Sequence, residues 1–331
     1  MTLRNLITDI AGLRVGHAGD AKLASGTTAL VFDAAVVASV DVRGGGPGTR
    51  ETALLDPAQT VEGIDAIMLG GGSAFGLDAA SGVQAFMREQ GRGFRIRDAV
   101  VPIVPAAIMF DLLNGGDKNW GRYPPYRELG YEAAKTAGAD FALGSAGAGL
   151  GATTATLKGG VGSASAQTRD GITVGALVVV NAVGSTTIGD GPHFWAAPFE
   201  QNKEFGGRGL PAQVTPSDRA LRAKGGPGEN TTIAVIATDA RLSKAQCNRL
   251  AVMAQDGFAR AIYPVHTPLD GDVVFAAATG LNALADPHYG LAELGMVAAN
   301  VMARAIARGV YEATALPFPG ALPSWKDKFG R

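Results

Sequence analysis

The chain has 331 residues, 47% of them apolar and 18% charged, a composition that folds around a core and excludes a disordered polypeptide. A formal net charge of −1 excludes recognition of nucleic acid or an anionic membrane surface by bulk charge. The single cysteine, Cys247, excludes an intrachain disulfide framework and predicts a reducing, cytoplasmic setting.

The opening stretch MTLRNLITDIAGLRVGH lacks the uninterrupted apolar segment of a signal sequence, and no run of about 18 apolar residues is present to span a membrane. Strand-like runs follow at 27–33, 36–42 and 64–69, rich in Ala, Val and Ile with few charges. Such runs predict strands covered on both faces. A helix is predicted over 74–89, after GGGS, and further strands over 172–183, 231–238 and 272–279. The segment 197–228 is polar and irregular, a length of loop that is functional or linker-like inside a domain.

Over 243–262 the helical pattern is clearest. Ser243 and Gln246 have capping-box spacing, and Cys247, Leu250, Ala251, Ala254, Phe258, Ala261 and Ile262 form one apolar face. Cys247 is thereby read as core rather than as a nucleophile. A third helix is predicted over 288–311, with Leu294, Val297 and Val301 on its buried side. With no internal repeat, the pattern predicts one α/β domain over 1–331.

The chain contains 47 glycines, about twice the average usage of roughly 7%. They cluster at RGGGPG, LGGGSAFG, GSAGAGLG, LKGGVG and GGPGEN, each beside an apolar segment. Glycine permits positive φ and close backbone approach, so five clusters together predict a site lined by backbone.

The junction GGPGENTT leads from the last cluster into a strand. A phosphate-binding loop needs a lysine after its last glycine, and Glu229 stands there instead. A dinucleotide fingerprint follows a strand and opens a helix, whereas this stretch precedes a strand. A third chemistry fits. A Thr hydroxyl beside a relaxed backbone attacks the preceding carbonyl, an ester forms, and hydrolysis frees an N-terminal Thr. The new α-amine titrates near ~8 and serves as the base of a Thr–amine pair. Thr231, preceded by Asn230, stands at that position, although Thr-Thr is also ordinary strand composition.

Candidate partners lie elsewhere in the chain. In HTPLDGDVVF, Asp270 and Asp272 have the spacing that points two carboxylates to one side, and Asp-Gly is also a common turn. Lys158 is the one charge between residues 141 and 167, read either as solvated or as catalytic. Asn181 ends the run GALVVVN, where its amide donates to an oxyanion or closes a turn.

At these residues the sequence resembles the P1 peptidase family, the self-processing group of L-aminopeptidase/D-Ala-esterase/amidase, β-peptidyl aminopeptidases and nylon-oligomer endohydrolase. The resemblance runs through ITDIAGLRVGHA, LGGGSAFGLDAASGV, GAGLGATTATLKGGVGSAS and GENTTIAVIATDA. It implies a four-layer αββα sandwich of the N-terminal-nucleophile type, cut into residues 1–230 and 231–331 that stay together. It casts Thr231 as nucleophile and Lys158, Asn181, Asp270 and Asp272 as active-site residues. Phe110, Gly71 and Gly72 are assigned to substrate binding, with no cofactor and no metal. Aminopeptidase members have a serine nucleophile and Ser-x-Glu where this chain has Asp270-Gly271-Asp272. Asn-Thr and Asp-Gly-Asp are closer to the nylon-oligomer hydrolase, which has a tyrosine at the position of Phe110. The expectation is a hydrolase of small peptides, amino-acid amides or ω-amino acid oligomers, assembled as a homo-oligomer, a tetramer by the resemblance. The alternatives are an acyltransferase similar to the ornithine acetyltransferases and a non-catalytic small-molecule binding module.

Overall fold

The structure, a computed structural model, describes residues 3–224 and 230–330. Strands β1 (Leu13–Asp20), β2 (Ser25–Val42), β3 (Gly48–Arg50) and β4 (Gly63–Gly70) come first. Helix α1 (Ala79–Glu89) leads to a small hairpin, β5 (Phe94–Ile96) and β6 (Ala99–Val101), then to β7 (Ala106–Ile108) and α2 (Tyr126–Lys135). Strands β8 (Gly160–Gln167), β9 (Thr173–Asn181) and β10 (Thr231–Ala240) precede α3 (Lys244–Ala261). The chain closes with β11 (Val273–Asn282), α4 (Tyr289–Tyr311) and α5 (Trp325–Phe329).

The main sheet has the order β3-β7-β4-β2-β11-β10-β9-β8, with β1 also paired to β2. Among the described strands, the β4–β7 and β10–β11 pairs are parallel and the rest antiparallel. The two runs expected at 27–33 and 36–42 are one long strand. β2 pairs with β1 through its first half (Leu13↔Phe32) and with β11 through its second (Val37↔Ala278), while β4 follows its other edge. The register with β4 shifts between Val31 and Val36, so an irregularity bends the strand where the sequence shows a break.

Alternation along the strands builds three cores. Ala234 and Ile236 of β10 pack toward α3 and α4, with Cys247, Leu250, Phe258, Val301 and Ile306. Ile233 and Val235, on the opposite face, share a second core with Leu30 and Phe32 of β2 and Ile67 and Leu69 of β4. The far faces of β2 and β4 supply Ala29, Val31, Ala66 and Met68 to a third core with Val83 of α1 and Ala133 of α2. β10 is buried at all ten residues, as its run of small and branched apolar side chains predicts.

The Ser243 side chain accepts the Gln246 N–H and the capping box is present; α3 follows. Cys247 lies fully inside, and burial pushes its thiol up to about 12, an inert core thiol. α1 begins five residues later than expected. Residues Ser73–Asp78 form a tighter 3-10 turn, entered through positive φ at Gly72 (+84°) and Ser73 (+52°). α4 is long and apolar enough to cross a bilayer by length and composition, yet 61% of its most apolar stretch is buried inside the protein. Leu294, Met302 and Ile306 fill the first core, and Arg304 is paired with Glu204 at 2.5 Å.

β8, with the sequence GVGSASAQ, was not expected as a strand. Its glycines answer to α4: a Cβ on Gly162 would lie 1.8 Å from the Ala305 carbonyl oxygen. The LKGGVG cluster is there, in this part, a packing surface rather than a site lining. Segment 197–224 is no linker. Phe205 is buried against Phe194, and Glu204 reaches Arg304 and Arg308. The glycine-rich approach at 225–229 lies outside the described residues.

Candidate active site

Thr231 is the first residue of β10 and is 4% exposed. Its Oγ1 donates a hydrogen bond to the carbonyl oxygen of Asn230, the residue before it. A second donor reaches the same oxygen, the Gly271 N–H at 3.0 Å. Asn230 bridges to Asp270 in parallel, so residues 270–272 run beside 230–232. Gly271 must be glycine: a Cβ would stand 2.7 Å from Thr231 Oγ1 and 2.7 Å from the Gly46 carbonyl oxygen. The RGGGPG loop backs this segment, its Gly46 N–H on the Asp270 carbonyl at 2.8 Å and its Arg43 N–H on that of Asp272 at 3.0 Å.

Both carboxylates are buried beside the junction. Asp272 Oδ1 accepts the Thr232 N–H at 2.8 Å, and its Oδ2 pairs with His266 Nδ1 at 2.8 Å and accepts the His266 N–H at 3.1 Å. Asp270 Oδ2 accepts the Thr267 N–H (3.0 Å) and hydroxyl (2.8 Å), and its Oδ1 the Val183 N–H (3.2 Å). Burial, and then the Asp272 charge, push the Asp270 carboxyl up, against the pull of its Thr267 and Val183 bonds. Asp272, through Thr232, is the acid tied to the strand of Thr231; Asp270 faces Thr267 and Val183.

Asn181 ends β9 directly opposite Thr231 in the antiparallel register. Its Oδ1 accepts the Thr153 N–H at 3.0 Å and Lys224 Nζ at 2.8 Å, and its Nδ2 donates to the Phe110 carbonyl at 3.1 Å. These partners fix which way the amide points. Lys158 is 1% exposed, which removes the solvated reading. Its Nζ donates to the carbonyls of Gly149 (2.9 Å) and Gly159 (2.7 Å). Burial lowers its pKa to about 7, opposed by Asp111 and reinforced by Lys224. Two carbonyls take two N–H groups, so the neutral amine keeps its lone pair for a third direction.

Lys158 lines a cavity of about 340 Å³. Asp111, Asn114, Thr153 and Lys224 share its polar side with Lys158; Phe110, Leu113, Leu316 and Leu322 are among its apolar residues. Phe110 is thus on the wall, contributing a ring without a hydroxyl. Gly71 and Gly72 are one layer behind. The Gly72 N–H donates to Asp111 Oδ1 at 2.7 Å, and a Cβ on Gly71 would meet Asp111 Oδ2 at 2.2 Å. These glycines seat Asp111 rather than line the cavity. Asp111 Oδ2 also accepts the Ser25 hydroxyl at 2.6 Å, and burial raises its pKa. No group of three or more His, Cys, Asp or Glu side chains suited to a metal is present among the described residues.

Asp111, Lys224, His266 and Gly271 were missed from the sequence. Asp111 had a signal, a lone acid after the apolar run ending in AAIMF. His266 and Gly271 sit inside HTPLDGDVVF but carry meaning only once 230–232 is laid alongside.

A strand-leading Thr bonded to its own preceding carbonyl, with Asn181 opposite it on β9 and Asn181 in turn held by Lys224 of the cavity that Lys158 lines, suits acyl chemistry. The model of peptidase family S58 matches residues 5–321. The chain belongs to family S58. An uncharacterized aminopeptidase of Mycobacterium tuberculosis (strain ATCC 25618 / H37Rv) is 45% identical over 347 residues, covering 98% of each chain. The 6-aminohexanoate-oligomer endohydrolase of Paenarthrobacter ureafaciens is 29% identical over 287 residues, 82% of this chain and 74% of that one. Among solved structures, the Burkholderia sp. beta-aminopeptidase superposes with a TM-score of 0.72 at 23% identity, covering 98% of this chain and 91% of that chain. The L-aminopeptidase D-Ala-esterase/amidase from Ochrobactrum anthropi, described as a variant of the Ntn hydrolase fold, gives 0.72 at 20% identity with the same coverage. At such identities the likeness is one of fold. As an S58 member the chain is a hydrolase of the peptidase class.

Proposed function

We propose that this S58 hydrolase cuts its own chain between Asn230 and Thr231, then uses the freed Thr231 as an N-terminal nucleophile on small peptides, amino-acid amides or ω-amino acid oligomers. One observation carries the reading: Thr231 Oγ1 and the Gly271 N–H converge on the Asn230 carbonyl oxygen. Attack by Oγ1 on that carbonyl carbon closes a five-membered ring. The Gly271 N–H stabilises the oxyanion, the C–N bond breaks, and its nitrogen takes up a proton. The resulting ester is hydrolysed, leaving a carboxylate on Asn230 and a free amine on Thr231.

In turnover that amine is the base for its own hydroxyl. Lys158, poised near neutrality, supplies a second base or charge at the cavity. Asn181 is held opposite the nucleophile, and Asp272 grips the next peptide N–H. The three cores between α3/α4, the two halves of the sheet and α1/α2 support a four-layer αββα order. β10 lies between β9 and β11, so the two product chains, 1–230 and 231–331, share one domain and remain together.

The test is hydrolysis of amino-acid amides by wild type, Thr231→Ser and Thr231→Ala. The serine variant keeps part of the activity and the alanine variant keeps none. Wild-type rates from Thr231→Ala would reject the nucleophile.

A further inference from the structure

The segment between α4 and α5 has no part in the chemistry above, yet it forms one side of the cavity. Its near end is fastened by Ser145, whose hydroxyl donates to the Thr314 carbonyl at 2.8 Å and accepts the Thr314 N–H at 3.0 Å. Its far end is fastened twice. The Pro323 carbonyl accepts the Lys158 N–H at 2.9 Å. Trp325, 3% exposed, stacks on Phe194 with ring centroids 5.9 Å apart and donates Nε1 to the Pro192 carbonyl at 3.1 Å. Midway, Phe318 lies against Gly115 on another part of the cavity lining, where a Cβ would come within 3.1 Å of it. Between these anchors Leu316, Pro319, Ala321 and Leu322 line the cavity, while Asp111, Lys158 and Lys224 supply its charges.

We propose that residues 314–323 are the specificity wall of the active site, holding the hydrocarbon part of the substrate's acyl group against Leu316, Ala321 and Leu322. The proposal rests on the amide-hydrolase reading and names what that site selects. A cavity of about 340 Å³ has the size of a small-ligand pocket and is too small for a folded peptide segment. Its polar groups match an amide and an amine, and the strap is the lining that matches methylene or side-chain carbon. Because the strap is tied at both ends, it acts as a fixed wall. Because Pro323 is bonded to the Lys158 backbone, the wall and the lysine keep one spacing.

Two opposite variants test it: Ala321→Phe narrows the cavity and the double variant Leu316→Ala/Leu322→Ala widens it. kcat/KM is measured for the p-nitroanilides of glycine, alanine, leucine and phenylalanine, with cleavage before Thr231 followed on gels. Ala321→Phe lowers the leucine-to-glycine ratio by about tenfold or more, and the double variant raises the phenylalanine-to-glycine ratio comparably, the scale at which apolar pockets discriminate. Cleaved, active variants with unchanged ratios overturn the wall. If wild type hydrolyses none of these compounds, the reading of amino-acid amides as substrates fails. The wall is then decided by NMR titration of wild type and both variants with acetamide and hexanamide: a preference that shifts in opposite directions supports it, and an unshifted one overturns it.

Discussion

Gly271 stands where three backbones meet, and its missing side chain leaves room for the Thr231 hydroxyl. Gly271→Ala is expected to slow self-cleavage by about 10²-fold, the cost of displacing a reacting atom by roughly 1 Å, measured as the rate of fragment appearance. Asp270 and Asp272 accept only from donors, so an Asn at either position turns an NH₂ toward an N–H. Asp270→Asn is therefore expected to lower stability by about 1–3 kcal/mol in chemical denaturation, whatever it does to the rate. Lys158 has a folded pKa near 7 against an ordinary value of 10.5. Between these values the unfolded chain holds a proton that the folded chain lacks, so stability rises with pH across that window. Lys158→Met is expected to flatten that rise, to be more stable than wild type at pH 6, and to slow cleavage by about 10²–10⁴. Thr231, Lys158, Asn181 and the Asp pair stand out as candidates in the sequence because each is a polar residue set against an apolar or glycine-rich run. Asp111 carries the same signal after AAIMF, whereas Lys224 and Gly271 carry none, since their meaning lies in contacts between distant segments.

At the scale of elements, composition announced the strands buried on both faces and the capped helix α3, whose boundary residue Ser243 sits where the capping box put it. It was silent on β8, because a strand lying under a helix at contact distance needs small residues, and those read as loop. Gly162→Ala tests that account. Its Cβ would collide with the Ala305 carbonyl of α4, so the loss in stability is expected to reach at least about 1–3 kcal/mol by denaturation midpoint, as overpacking does. The two apolar runs joined in β2 misled for a related reason. Exposed residues at the bend interrupt the pattern without interrupting the strand.

Across the whole molecule, the proposed cut divides a fold whose sheet and cores draw on both sides of it. Glu204, before the cut, is part-buried and pairs with the buried Arg304 and the part-buried Arg308, after it. Glu204→Ala leaves buried guanidinium charge without its acid and is expected to cost about 3–5 kcal/mol, seen as a lower melting temperature and looser association of the fragments. The peptide between Asn230 and Thr231 is expected to break without a second protein. This is tested by the denatured mass of the purified chain after incubation at neutral pH, with N-terminal sequencing of the smaller species. In proportion to length, the 33.7 kDa chain is expected to give fragments of roughly 23 and 10 kDa, the smaller beginning Thr-Thr-Ile-Ala. A single uncut 33.7 kDa species would contradict it.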